Sequence, residues 1–307
     1  MKKIFVTGIS GCVGHYLFDE LAPEGDYHLF LLVRDPAKLR FAYQDNPRVT
    51  VIKGDLENIG RHAEVIRGAD YVVHAAADWG AHENNLDHSV TFFKLIDPAR
   101  CQKVIYLSTA SILGPDGKPV PEARTLGTHY IRGKYLFHEM LPQLPIYPKV
   151  VTLFPTWVLG GDNNHPYSHA TAGILGIRPW LKLIRFFKVK AGFHFIHARD
   201  IAAIIRQLLK NGTEENEFVL GNPATTAGQL IKDVCHYFGL RVYFQFPLSL
   251  PLAVFAARVT GHRLHPWDLY CFRRRNFVYR AADAASFGLK SDLQTIPQIL
   301  ADATKQP

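Results

Sequence analysis

Short apolar runs recur along the first half of the chain, at residues 3–7, 29–33, 49–52, 71–74, 103–108 and 149–153. Each is four to six residues long and rich in β-branched or aromatic side chains, the pattern of strands buried on both faces. Segments with helical spacing lie between them, among them 13–21 and 130–141. Strand and helix therefore alternate, which predicts right-handed βαβ crossovers and an α/β fold: a Rossmann-like, doubly wound parallel sheet with helices on both faces. After residue 153 the pattern changes. A loop rich in Gly, Asn and His (160–169) leads to a basic apolar stretch (180–190), expected as a helix with its lysines outward. A helix (201–209) and a strand (217–220) follow. The expected organisation is a dinucleotide-binding core of residues 1–154 with 196–221, and a smaller substrate-binding lobe of 155–195 with 222–307 at the carboxyl edge of the sheet.

Composition narrows the classes. With 307 residues, 48% hydrophobic and 20% charged, the chain can bury a sizeable core, which excludes disorder, collagen-like repeats and coiled coil. Thirty-five Lys and Arg against 27 Asp and Glu give a net charge of +8, which favours anionic partners without choosing among them. Cys12, Cys101, Cys235 and Cys271 are widely spaced with no CxxC, so a reducing compartment, the cytoplasm, is expected. The start MKKIFVTGISG is basic, but glycines break its apolar run, so no signal peptide is expected. Residues 246–257 (FPLSLPLAVFAA) are apolar, yet a dozen residues with two prolines fall short of the roughly 18 that span a bilayer, so no transmembrane segment is expected. That stretch reads as a helix of the substrate lobe followed by a solvated basic turn at Arg273, Arg274 and Arg275; with Phe272 and Phe277 beside them, peripheral contact with anionic lipid is left open.

The first predicted strand runs into Thr7-Gly8-Ile9-Ser10-Gly11-Cys12-Val13-Gly14, a GxxGxxG that opens a predicted helix. Gly8 permits the tight turn, Gly11 lets the backbone approach a pyrophosphate, and Gly14 lets helix and strand pack closely. The first helical N–H groups bind the phosphates, and Ser10, Cys12 and Val13 belong to the same binding set. The second strand ends Val33-Arg34-Asp35-Pro36, where an acidic residue would read the ribose of NAD. The guanidinium of Arg34 instead suits a 2′-phosphate, with Lys38 assisting, so NADP(H) is favoured over NAD(H). In the other reading Arg34 is solvated and Asp35 reads the ribose. Two further strand ends are expected to wrap the cofactor. In Gly54-Asp55-Leu56 the carboxylate either accepts from the adenine amino group or caps a helix; in His74-Ala75-Ala76-Ala77 small side chains allow close backbone approach.

Chemistry is carried by Tyr130-Ile131-Arg132-Gly133-Lys134, a YxxxK whose spacing puts phenol and ammonium on one helix face. A neighbouring cation favours the phenolate, so Tyr130 is expected to ionise below its reference value near 10. The preceding strand ends Leu107-Ser108-Thr109-Ala110-Ser111, which offers hydroxyls to a substrate oxygen. His165 with His169, and His82 with His88, lack the companions of a metal site. The run 180–190 fits a packed helix better than a nucleic-acid groove.

Taken in order, TGxxGxxG, GDL, HAAA, STAS, YxxxK, Phe154-Pro155-Thr156-Trp157 and Phe195-Ile196-His197-Ala198-Arg199-Asp200 resemble the extended short-chain dehydrogenase/reductase family over roughly residues 1–220. The resemblance implies that Thr109 bonds the substrate oxygen, with Ser108 and Ser111 as fallback. It implies that Tyr130 is the acid/base with Lys134 its partner, that Pro155 contacts the nicotinamide, and that His197 and Asp200 close a strand-to-helix junction near the substrate. Gly133 stands where serine is usual, and Phe154 where sugar-nucleotide enzymes carry arginine. Ala110 and Ser111 follow Thr109 where dehydratases place Asp-Glu. The Val-Arg-Asp-Pro ending is similar to the branch of dihydroflavonol reductases and 3β-hydroxysteroid dehydrogenases. An NADP-dependent oxidoreductase acting on a carbonyl or carbinol carbon of a small, largely apolar molecule is therefore expected. The alternatives are a nucleotide-sugar epimerase, disfavoured by Arg34 and Phe154, and a non-catalytic cofactor-binding assembly protein, disfavoured by the intact Thr109, Tyr130 and Lys134. A homodimer is left open.

Overall fold

The computed structural model describes residues 1–76, 85–248 and 264–305. The first half alternates as expected: β1 (Lys2–Thr7), α1 (Cys12–Leu21), β2 (Tyr27–Val33), β3 (Val49–Lys53), α2 (Ala63–Arg67), β4 (Tyr71–His74), α3 (Asn85–Leu95), β5 (Lys103–Leu107), α4 (Pro121–Thr125), α5 (His129–Met140) and β6 (Val150–Pro155). The second half continues with β7 (Trp157–Leu159), α6 (His169–Gly176), α7 (Leu181–Ile184), β8 (Phe187–Lys188), β9 (Gly192–Phe193), β10 (Phe195–His197), α8 (Ala198–Asn211), β11 (Glu217–Leu220), β12 (Thr225–Thr226), α9 (Ala227–Tyr237), β13 (Phe246–Pro247), α10 (Pro266–Arg274), β14 (Asn276–Phe277) and α11 (Ile296–Ala303).

Seven parallel strands form the central sheet in the order β11-β6-β5-β4-β1-β2-β3. Side chains alternate across it. Ile4 and Val6 of β1 join Val73, Ile105 and Leu107 on one face, under α1 and α8; Phe5 joins Val72, Val104 and Tyr106 on the other, under α3 and α5. On α8 the residues Ile201, Ile204, Ile205 and Leu208 recur at helical spacing and are all buried. Across its outer edge Arg206 pairs with Glu20 at 2.7 Å and Glu24 at 3.3 Å, tying α8 to α1 and the turn after it. Strand order reverses between β1 and β4, so a crevice opens beyond their carboxyl ends.

Short elements build the region over that edge. β7 pairs with β10, β9 lies between β12 and β14, and β8 pairs with β13. Val234 and Cys235 of α9 pack with Ile296, Ile299 and Leu300 of α11. The helix expected over 180–190 is cut short. After α7 the sequence Phe187-Lys188-Val189-Lys190 has a two-residue alternation and finds a strand partner: the Phe246 N–H donates to the Phe186 carbonyl at 2.7 Å and the Leu248 N–H to the Lys188 carbonyl at 2.8 Å. The basic turn after α10 also differs from a solvated one, because Arg274 points inward. Its guanidinium donates to the Leu113 carbonyl at 2.6 Å and covers the Phe277 ring. Residues 249–257 of the apolar stretch, with Ala77 and His82, lie outside the described residues. Among the described residues no helix is long and apolar enough to cross a membrane.

Candidate active site

The glycines of the first turn have separate duties. Gly8 adopts φ +81°, and a Cβ there would stand 2.5 Å from the Ala75 carbonyl carbon and the Ala76 nitrogen, so the loop passes directly against the end of β4. A methyl on Gly14 would overlap the Gly8 carbonyl oxygen. One on Gly11 would meet only the Gly8 oxygen, at 3.4 Å, and otherwise open space. Gly11 therefore leaves a cradle at the amino terminus of α1 for a phosphate group. His15 fastens this loop. One ring nitrogen lies 3.0 Å from the Gly11 carbonyl, and the other accepts from the Arg40 N–H at 3.1 Å. No motif announces this histidine.

A cleft of about 1460 Å³ runs from the glycine turn across the sheet edge. Gly8, Ser10, Gly11, Cys12, Val13, Gly14, Arg34, Lys38, Asp55, Leu56, Ala75, Ala76, Tyr130, Lys134 and Pro155 all line it, with Ser108, Thr109 and Ser111. His74 does not. Its ring is buried under the sheet among Phe92, Phe93 and Tyr106, and Nδ1 meets the Thr7 hydroxyl at 2.7 Å. Burial holds its basicity well below that of an ordinary histidine. Asp35 is absent from the lining as well, since its carboxylate accepts from the Ala37 N–H at 3.1 Å and caps the turn at Pro36–Lys38. Asp55 lines the cleft and accepts from the Asn58 N–H at 2.9 Å, a bond within its own loop that lowers its pKa; it is not the cap residue of the helical turn that follows.

Midway along the cleft the catalytic candidates converge. Thr128 caps α5 by accepting from the Ile131 N–H, which sets Tyr130 in the first turn and Lys134 one turn on. The Thr109 hydroxyl hydrogen-bonds the Tyr130 phenol and accepts from the Ser111 N–H at 3.3 Å. Lys134 donates to the Leu107 carbonyl at 2.7 Å, with its ammonium 6.0 Å from the centre of the Tyr130 ring. The expected lowering of the phenol is not what this packing produces. Burial pushes Tyr130 up to about 12, against the Thr109 bond, and pulls Lys134 down to about 7. Both groups lose water, and that loss is the leading cause of each shift.

Beyond Tyr130 the cleft changes character. Ile174, Leu181, Phe193, Leu230, Val234 and Trp267 are among its walls, and the acidic and basic side chains among the described lining residues, Arg34, Lys38, Asp55, Glu57 and Lys134, belong to the part already described. Two wall residues carried no sequence signal. His194 is held by the Asn222 carbonyl at 2.8 Å and accepts from the Tyr279 N–H at 3.0 Å; the Tyr279 hydroxyl donates to the Ala110 carbonyl at 2.9 Å, beside Thr109. His197 and Asp200 sit at the junction of β10 and α8, outside the cleft lining. His197 caps α8 through the Arg199 N–H, and burial takes its pKa to about 4; Asp200 is raised to about 6 by burial and accepts from the Ser291 hydroxyl. His88 and His169 line the cleft, whereas His165 is clamped between Asp19 and Asp162 at 2.6 and 2.7 Å. Among the described residues no group of three or more His, Cys, Asp or Glu is arranged to hold a metal ion.

Residues 4–221 match the model of the NAD dependent epimerase/dehydratase family. The chain belongs to that family. It falls in the extended short-chain dehydrogenase/reductase group, and a nicotinamide nucleotide is the family's cofactor. Sterol-4-alpha-carboxylate 3-dehydrogenase, decarboxylating, from Dictyostelium discoideum is 24% identical over 160 residues, 46% of this chain and 48% of that protein. The chain thus spans about half the length of this curated relative. Among solved structures it is similar to dTDP-glucose 4,6-dehydratase from Bacillus anthracis in complex with NAD (TM-score 0.70, 15% identity, 98% of this chain and 95% of the other). It is likewise similar to UDP-N-acetylglucosamine 4-epimerase from Methanobrevibacter ruminantium (TM-score 0.68, 18% identity, 98% and 96%). Likenesses at these identities speak for the fold.

Proposed function

We propose that the chain is an NADP(H)-dependent oxidoreductase acting on the carbonyl or carbinol carbon of an uncharged, largely apolar molecule. The observation that carries this reading is the change in the cleft at Tyr130: charged and glycine-lined on one side, and on the other mostly apolar, with no Asp, Glu, Lys or Arg among the described wall residues. A pocket for a single small ligand is typically about 300–1,000 Å³. At about 1460 Å³ the cleft has room for a dinucleotide and a second molecule together.

Gly11 and the α1 amino terminus would receive the pyrophosphate. Arg34 and Lys38 would receive a 2′-phosphate, a reading favoured because the Asp35 carboxylate is engaged in its cap. When bound, the nicotinamide supplies or accepts the hydride. Thr109 and Tyr130 present two hydroxyls to one substrate oxygen, and Tyr130, kept protonated by burial, is in the form that gives a proton to a developing alkoxide. Lys134, tied to the Leu107 carbonyl, fixes the helix turn below the phenol. A nucleotide sugar would bring a diphosphate into the apolar half, where no described lysine or arginine lines the wall to receive it. The sterol-carboxylate dehydrogenase relative supports a bulky, largely apolar skeleton; the substrate in its name also carries a carboxylate, so the likeness does not speak for the absence of charge.

Following absorbance of NADPH while the purified protein meets uncharged aryl and alicyclic ketones, and separately UDP-sugars, tests the assignment. Ketone-dependent oxidation of NADPH without change to the sugars is the expected result. Epimerised sugar with no net cofactor consumption would overturn it.

A further inference from the structure

The wall of the apolar half has an outer side. Ile177, Trp180 and Leu183 recur every third residue along the helical turns between α6 and β8, and are 38%, 64% and 56% exposed. Phe244 and Phe246, on the segment that runs into β13, are 55% and 59% exposed. Ring contacts at 5.3 Å between Phe186 and Phe244, and at 5.4 Å between Phe244 and Phe246, tie the two segments together just beyond Leu183. Large side chains standing out of a soluble fold in one group mark a binding surface.

Its rim is cationic. No Asp or Glu occurs between Asp162 and Asp200, while Arg178, Lys182, Arg185, Lys188 and Lys190 fall within that stretch. Arg241 lies on the facing segment, its carbonyl accepting from Arg185 at 3.1 Å. Tryptophan and aliphatic side chains in the centre with lysine and arginine around them are what the boundary between lipid headgroups and acyl chains accommodates. A second copy of the chain would set these cations against themselves, and a nucleic acid offers nothing to Ile177 and Leu183.

We propose that residues 177–190 and 241–248 form a docking face for an anionic phospholipid bilayer. The face is continuous with the cleft, because Ile177 belongs to both and Leu181 and Ile184, on the other side of α7, line the apolar half. An apolar substrate dissolved in the bilayer would then enter without crossing water; this consequence rests on the substrate reading above, whereas the docking does not.

Cosedimentation of the full chain with vesicles tests docking without any substrate. Vesicles of phosphatidylserine mixed with phosphatidylcholine should carry the protein down, phosphatidylcholine alone should carry far less, and high salt should release it. Trp180→Ser with Leu183→Ser should lower partitioning at least about tenfold. Lys182→Gln with Lys190→Gln should lower it roughly thirtyfold at low salt. NADPH binding, unchanged in both variants, reports that each is folded. Equal partitioning of wild type and variants, or no partitioning to anionic vesicles, would overturn the proposal. So would a dimer that the Trp180 and Leu183 changes dissociate while vesicles bind nothing, since the face would then belong to a second copy.

Discussion

The two halves of the cleft are built in opposite ways. The cofactor half consists of strand ends: Thr7 at the end of β1 and the glycine turn after it, Arg34 and Lys38 after β2, Gly54 to Glu57 after β3, and Ala75 with Ala76 after β4. In the proposed reading, backbone approach, glycine geometry and a few charges would do the recognising there. The substrate half gathers its side chains from many short elements, among them Ile174 from α6, Phe193 from β9, Leu230, Ile231 and Val234 from α9, Trp267 from α10 and Phe277 from β14. Under the same reading its specificity comes from volume and from the lack of Asp, Glu, Lys and Arg among its described wall residues. Thr109, Tyr130 and Lys134 stand at the seam, and in the proposed reading one set of proton-handling groups would serve whatever the second half admits.

Damage at the seam should be the most severe. Tyr130→Phe keeps the ring in place and removes the hydroxyl, so NADPH affinity should persist while turnover falls roughly 10²–10⁴-fold, as steady-state rates will show. In the cofactor half, Gly11→Val should abolish most NADPH binding in a folded protein, because its side chain enters open cleft; Gly8→Val, forced against Ala75 and Ala76, should lower thermal stability instead. Fluorescence titration and a melting curve separate the two. Arg34→Ala should cost NADPH about ten- to hundredfold in affinity and leave NADH unchanged, the roughly 1.5–3 kcal/mol of a charge-assisted bond.

The pH behaviour sharpens the seam further. Burial depresses Lys134 to about 7 in the fold, below its ordinary value near 10.5, so between those values the unfolded chain binds more protons. Its contribution is therefore complete only above about 10.5 and falls away as pH drops toward about 7. Urea midpoints for wild type should rise relative to Lys134→Met across that window; parallel curves would show that the ammonium is not desolvated. Smallest of all, Leu230→Val removes one methylene from the apolar wall. The KM for an apolar ketone should rise about fourfold, the worth of roughly 0.8 kcal/mol, with NADPH affinity untouched.

What could be read from the chain follows the same division. β1, the glycine turn and α1 are contiguous, so their periodicity and spacing carried the local fold and the place of the glycine turn at the cleft. Tyr130 and Lys134 share one helix turn and were legible for the same reason. His15 and Tyr279 were not, because what they hold, the Gly11 carbonyl with Arg40 and the Ala110 carbonyl, is a tertiary contact without a local pattern. His74 misled because the small residues after it face the cleft while its own ring points under the sheet. The stretch at 180–190 misled because helical spacing gives way within it to strand alternation, and its partner lies about sixty residues further on. The Tyr130 ionisation was anticipated from its charged neighbour, but burial, which only the fold supplies, is the larger effect.

Isotope transfer tests the central claim most directly. NADPH deuterated at both C4 positions of the nicotinamide, incubated with an uncharged apolar ketone and the protein, should give an alcohol with deuterium on its carbinol carbon. The rate should drop roughly 10²–10⁴-fold in Tyr130→Phe while the label stays in the same place. Alcohol lacking deuterium, or formed at an undiminished rate by Tyr130→Phe, would contradict the account of a hydride cleft whose proton comes from that phenol.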